Sequence, residues 1–177
     1  MAQLTRLSAP FATIHPAVFL ALGVGWLVIP TALGITSARV LFGLVFVLNL
    51  IPALWVHGVY SLSVLESDQK ARWQPLFVAT EFLSLLVGIS FFTDPLVEQI
   101  FVSEKFFQIM PVRLSYLFFG AQLFSMWIAA RAFVLVPRDA DAPRWLHSKW
   151  GVFCCLFATQ IGVWLLRPYV RGRKQAP

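Results

Sequence analysis

Long apolar runs separated by short polar segments dominate the chain. A hydrocarbon core about 30 Å thick is crossed by about 20 apolar residues in a helix that rises about 1.5 Å per residue. Five runs come close to this length, and they cover residues 17–35, 40–60, 75–92, 114–136 and 150–166. The pattern therefore predicts an all-α integral membrane protein, a bundle of five transmembrane helices.

The segment between the third and fourth runs has a different pattern. Asp94 and Pro95 form a good helix start, because Asp caps the first N–H groups and Pro fits the first helical position. Three charged side chains interrupt the apolar residues that follow, namely Glu98, Glu104 and Lys105. We therefore expect an interfacial amphipathic helix over about 95–110 instead of a sixth span. An ordered loop packed on the bundle is the alternative.

Composition supports a membrane protein and changes the meaning of the net charge. Hydrophobic residues make up 59% of the chain and charged residues 12%, whereas soluble domains carry about 25% charged residues. The net charge of +6 does not indicate a nucleic-acid partner, because Lys and Arg collect at lipid headgroups. We expect one polytopic domain over residues 1–177, with 1–16 and 167–177 as short polar termini and membrane lipid as a partner.

Five spans would place the two termini on opposite sides of the membrane. We call side A the face that holds the N-terminus, the 61–74 loop and the 137–149 loop, and side B the opposite face. With this arrangement the basic residues are nearly balanced between the two sides, so the positive-inside rule decides little. The dense basic tail after Val170 favours a cytoplasmic C-terminus on side B.

Two ionisable residues lie deep within the predicted spans. At helical rise, Glu81 is about 9 Å and Arg131 about 7.5 Å from side A, and His57 lies in the same half of the bilayer. Charged groups are costly in hydrocarbon and are candidates for function. We therefore expect an ion pair between Glu81 and Arg131 with His57 nearby. The pair would either set the register of two helices or bind a ligand or proton; alternatively, Arg131 extends to the interface.

Three side-chain amides share the predicted bilayer midplane, namely those of Asn49, Gln122 and Gln160. Such groups usually hydrogen-bond between helices, although they are also candidates for the polar lining of a ligand pocket. Glu81, Ser84 and Gly88 share one face of the third span. Small and polar faces of this kind mark helix contacts or cavity walls.

No nucleotide-binding, serine-nucleophile or zinc motif occurs in the sequence, and we expect neither a cofactor nor a metal. Residues 43–46 and 51–52, followed by Glu81, are faintly similar to small sterol-isomerase bundles of the emopamil-binding class. That class combines intramembrane acids and histidine with an apolar pocket. The similarity covers a small part of the chain and lacks the long loop of that class, so it does not assign the chain there.

Two functions fit these observations. The favoured one is non-catalytic: a subunit or assembly and interaction factor that binds other membrane subunits and lipid. The alternative is an enzyme with isomerase-like acid–base chemistry, or a carrier, that acts on a lipophilic small molecule. In that case Glu81 and His57 would be the catalytic groups. The ligand-binding lining would be formed by Arg131, Gln122, Asn49 and Gln160.

Overall fold

The regular secondary structure of the described part of the chain is all helical, as predicted. The computed structural model describes residues 2–19, 38–67, 70–92, 104–136 and 142–171, with a few isolated positions between 21 and 34. The helices are α1 (Ala2–Ser8), α2 (Ala38–Leu48), α3 (Leu50–Glu66), α4 (Gln74–Phe92), α5 (Glu104–Val134), α6 (Lys149–Phe157) and α7 (Thr159–Arg171), with 3-10 helices at Ala9–Thr13 and Arg144–His147. None of the described residues forms a strand.

Two helices are long and apolar enough to cross a membrane. One is the stretch Gly43–Glu66 and the other is Tyr116–Val134. The stretch Gln74–Ile89 is apolar but shorter. The first predicted span, residues 17–35, lies mostly outside the described residues. Length and composition thus support a helical membrane protein, with two spans that meet both criteria.

Helices α2 and α3 follow one another and form one arm of an antiparallel hairpin. Helix α4 forms the other arm, after the turn before Gln74. The Trp73 backbone N–H donates to the Tyr60 hydroxyl at 3.1 Å, which ties the turn to the end of α3. Farther along, the Ser84 hydroxyl donates to the Phe46 carbonyl at 2.7 Å. A Cβ at Gly88 would lie 2.7 Å from Val47 Cγ2. The predicted small and polar face of α4 therefore packs against α2.

The N-terminal residues, expected as a short polar terminus over residues 1–16, pack on α3. Ser8, Ala9 and Ala12 are buried. A side chain at Gly58 would overlap the backbone of Ala12, so this glycine allows a close approach. Small residues on both sides of this contact thus let the N-terminal segment lie close against α3.

The predicted interfacial helix over 95–110 needs correction where the structure describes it. Residues 93–103 lie outside the described residues, and residues 104–110 are the first turns of α5. The helix has 31 residues, so it is longer than the roughly 20 residues that cross the hydrocarbon core. Its charged first turns can therefore extend beyond the apolar core without a separate helix.

The predicted fifth span, residues 150–166, is not one helix. The chain reverses at Ala158, where φ is −82° and ψ is 56°. A side chain at Gly162 would overlap the Cys155 carbonyl oxygen. The rings of Trp145 and Tyr169 are 6.4 Å apart, whereas 24 residues of straight helix would separate them by about 36 Å. Helices α6 and α7 thus form a hairpin.

The hairpin packs along α5 and returns toward its starting point. The Trp127 ring on α5 lies 4.9 Å from the Trp150 ring on α6. The apolar residues inside the hairpin are fully buried, including Val152, Leu156, Val163 and Leu166. The apolar run that suggested a span therefore covers the inner faces of two short helices.

Replacing Gly162 with alanine should destabilise this hairpin, because the added methyl group would overlap the Cys155 carbonyl. Overpacking of this kind costs about 1–3 kcal/mol. Gly120→Ala in α5 is the matched control, since a Cβ there has no atom within 4 Å. Thermal unfolding in detergent, followed by circular dichroism, should show a lower Tm for Gly162→Ala alone. Equal Tm values for Gly162→Ala and the wild type would contradict the reversal.

Candidate functional site

A buried histidine–carboxylate pair joins α3 to α4. The His57 Nδ1 atom lies 2.5 Å from the Glu81 Oε1 atom. The side chain of His57 is 4% exposed and that of Glu81 is 16% exposed. The imidazole is therefore enclosed by protein, whereas the carboxylate lies at the edge of the packed interior.

Gln74 is hydrogen-bonded to the other ring nitrogen of His57. Its Nε2 atom lies 2.5 Å from His57 Nε2. Because an amide nitrogen can only donate, the imidazole Nε2 accepts this hydrogen bond. The ring proton then sits on Nδ1 and is donated to the Glu81 carboxylate. Both nitrogens of His57 are therefore engaged with groups on α4.

Two serines extend the network to α1. The Gln74 Nε2 atom also lies 3.2 Å from the Ser8 hydroxyl and 3.4 Å from the Ser61 hydroxyl. Because one of its two N–H groups is donated to His57, the two hydroxyls share the other. The two hydroxyl oxygens lie 2.7 Å apart. The Ser61 hydroxyl also donates to Gln74 Oε1 at 3.5 Å. The network connects three helices, and both serines and Gln74 are buried.

An aromatic stack covers the imidazole. The ring of Phe77 is stacked on His57 at a centroid distance of 5.2 Å and an interplanar angle of 17°. The same phenyl ring stacks on Tyr60 at 4.5 Å. Phe77 is buried, so one face of the histidine is shielded from any small molecule.

Helical spacing explains how these side chains meet. His57 and Ser61 are four residues apart on α3, and Gln74, Phe77 and Glu81 recur at three- and four-residue steps on α4. Such steps place side chains on one helix face. Sequence reasoning identified Glu81 and His57 but missed the remaining members. The spacing from Gln74 to Glu81 was an available signal, whereas nothing in the N-terminal sequence marked Ser8.

The expected ion pair between Glu81 and Arg131 is not formed. Within the described part of the chain, the ion-pair partner of Glu81 is His57, and Arg131 is exposed. The depth of both residues was predicted from the sequence, but the rotation of α5 was not. Ala129 and Ala130 face the core at 0% exposure, and this packing turns Arg131 outward.

The predicted layer of midplane amides has a different arrangement. The Asn49 side-chain amide donates to the Val45 carbonyl of its own chain segment at 3.0 Å. Pro52 has no N–H group for the helix ladder, and the chain between α2 and α3 is irregular at Asn49. Gln122 is buried, and its Oε1 atom has no hydrogen-bond partner in the described residues. The side chain of Gln160 lies outside what the structure describes.

Among the described residues, no group of three or more His, Cys, Asp or Glu side chains could hold a metal ion. No known protein family, curated protein or solved structure matches the chain. Functional inference therefore rests on the geometry of the site and on the distribution of charge around it.

Double-mutant cycles should separate the observed pair from the expected one. We expect His57→Ala and Glu81→Gln to be coupled by about 1–3 kcal/mol in unfolding free energy, because the two groups share a hydrogen bond. Glu81→Gln and Arg131→Gln should be additive within about 0.5 kcal/mol. Reversible unfolding in detergent measures both cycles. Strong coupling to Arg131 with none to His57 would contradict the site described here.

Proposed function

We propose that the chain is a non-catalytic, multi-pass membrane protein, a subunit or assembly and interaction factor of a membrane complex. The observation that carries this proposal is the saturation of His57. Its two ring nitrogens are bound to Glu81 and Gln74, and Phe77 covers one ring face. The cluster then has a structural role, because its hydrogen bonds fix three helices relative to one another.

General acid–base catalysis makes different demands. The catalytic group must lie within hydrogen-bond reach of the substrate proton. His57 is 3% exposed and has no free nitrogen for a substrate. A reaction would have to break the hydrogen bonds that join α3 and α4, which favours the structural role.

Large apolar side chains cover the outside of the bundle. The most exposed are spread over five helices, and they are Leu7, Phe82, Tyr116, Leu117, Trp150, Phe157 and Ile161. Extended apolar surface of this kind needs lipid or apolar partner helices to cover it. This surface supports both membrane insertion and contact with other membrane subunits.

We also propose four crossings in place of five. The N-terminal segment packs beside Gly58, whereas α2 begins at Ala38, about 30 Å away along the helical rod. The chain between Thr13 and Ala38 must cover this distance, and it contains the apolar run 17–35. That run, α2 with α3, α4 and α5 are the proposed crossings, and the α6–α7 hairpin enters and leaves on side A.

This topology changes the charge balance. With both termini on side A, its basic residues outside the crossings are Arg6, Lys70, Arg72, Arg138, Arg144, Lys149, Arg167, Arg171, Arg173 and Lys174, and side B keeps Arg39, Lys105 and Arg113. The positive-inside rule then favours side A as the cytoplasmic face. The proposed topology places the C-terminus on the cytoplasmic side together with the N-terminus.

An acid–base enzyme or carrier for a lipophilic molecule is the second candidate. One observation favours it: the Glu81 side chain is 16% exposed and is paired with a histidine at 2.5 Å, an arrangement that also occurs in general bases. A substrate would then have to approach the accessible edge of the carboxylate.

Purification of tagged protein from its native membrane in mild detergent tests the two candidates. Mass spectrometry of proteins and lipids should recover another integral membrane protein in near-stoichiometric amount. Glu81→Gln should reduce accumulation of the chain, because it weakens the central network. Arg144→Gln is the control and should leave both readouts unchanged.

A different outcome would support the second candidate. The chain would purify alone with one stoichiometric small molecule. Glu81→Gln would accumulate normally but lose that molecule. These two results together would contradict the non-catalytic function.

A further inference from the structure

A basic cavity lies at the side-A end of the bundle, apart from the histidine cluster. Its volume is about 460 Å³, and its cationic lining residues are Lys70, Arg72 and Arg131. Lys70 and Arg72 belong to the turn between α3 and α4, whereas Arg131 is in the last turn of α5. Two distant parts of the chain thus bring three positive charges to one opening.

Among the described residues, no Asp or Glu lines the cavity. None of the three cations takes part in the ion pair between His57 and Glu81. All three side chains are exposed. Converging cations without a counter-charge form a site for an anion.

The rest of the lining is amphipathic. Tyr60 and Trp73 border the cavity, and these residue types favour the membrane–water interface. On α5, Ile128 and Leu135 contribute apolar surface, and Leu135 is exposed. A free inorganic anion would use only the cationic part of such a lining. A phospholipid would use both parts.

We propose that this cavity binds the phosphate group of an anionic phospholipid. The phosphate lies between the Arg131 guanidinium and the cations of the turn, and an acyl chain follows the apolar surface beside Leu135. The volume falls in the range of about 300–1,000 Å³ that is typical of small-molecule sites. Basic pockets between helices on the cytoplasmic side are suited to anionic headgroups. The proposal rests on the membrane topology given above.

This site gives Arg131 a role that the expected ion pair does not. The Arg131 side chain is exposed in the last turn of α5, and Glu81 is paired with His57 instead. Guanidinium binds phosphate through two parallel hydrogen bonds. Arg131 would therefore be the principal ligand, with Lys70 and Arg72 as supporting charges.

Native mass spectrometry of the purified full chain tests the site. The protein in detergent is titrated with phosphatidylglycerol, with phosphatidylcholine and with inorganic phosphate. We expect phosphatidylglycerol to bind most tightly. Arg131→Gln should weaken its binding at least fivefold, and Arg131→Gln combined with Arg72→Gln about 25-fold, from a typical cost per surface cation. Arg131→Lys should retain more binding than Arg131→Gln.

Arg144→Gln is the matched control, because Arg144 is an exposed side-A cation outside the cavity. It should leave binding unchanged, and the Tm of every variant should match that of the wild type, since the altered side chains are exposed. Equal loss of binding in Arg144→Gln and Arg131→Gln would overturn the site, as would equal binding of the two lipids. Binding of inorganic phosphate as tightly as phosphatidylglycerol would overturn the assignment to a lipid.

Carbonate extraction of native membranes distinguishes this proposal from the proposed function. If the chain stays in the membrane pellet but does not discriminate between the two lipids, the lipid site is contradicted and the membrane location is not. If carbonate releases the chain, both the lipid site and the membrane location are contradicted.

Discussion

The hydrogen bond between His57 and Glu81 is the interaction on which the arrangement of the first helices depends. Polar groups enclosed by apolar side chains cost free energy unless they are paired, so the helices must meet where these groups satisfy one another. The Gln74 amide hydrogen-bonds to the second imidazole nitrogen, and the hydroxyls of Ser61 and Ser8 hydrogen-bond to the same amide. The relative positions of α1, α3 and α4 follow from these hydrogen bonds. The phenyl ring of Phe77 covers one face of the imidazole.

The sequence could predict ionisable residues that are costly because they lie within apolar runs. Glu81 and His57 stand out because ionisable groups in apolar runs are expensive, and helical rise places them at similar depth. The rotation of α5 could not be predicted in this way. It depends on Ala129 and Ala130 packing into the core, a property of the neighbouring helices. Arg131 is therefore exposed and does not pair with Glu81.

The α6–α7 hairpin shows a second limit of the apolar pattern. A run of the right length is equally compatible with one crossing and with two short helices that bury their apolar faces against each other. The decision rests on Gly162, which allows the backbone to return against Cys155. The reversal at Ala158 is the basis of the proposed topology, in which the C-terminus lies on side A. The two ionisable residues expected as a pair are separate in the structure: Glu81 is paired with His57, and Arg131 is exposed.

Nitrogen NMR of the imidazole tests the central network most directly. His15→Gln and His147→Gln leave His57 as the only histidine of the chain, so its ¹⁵N signals can be assigned without ambiguity in a bilayer sample. The structure predicts a proton on Nδ1, in a strong hydrogen bond to the carboxylate, and an unprotonated Nε2 that accepts from Gln74. Glu81→Gln should shift the Nδ1 resonance, whereas Arg131→Gln should not. A ring protonated on Nε2 alone, or one that exchanges freely with water, would contradict the network.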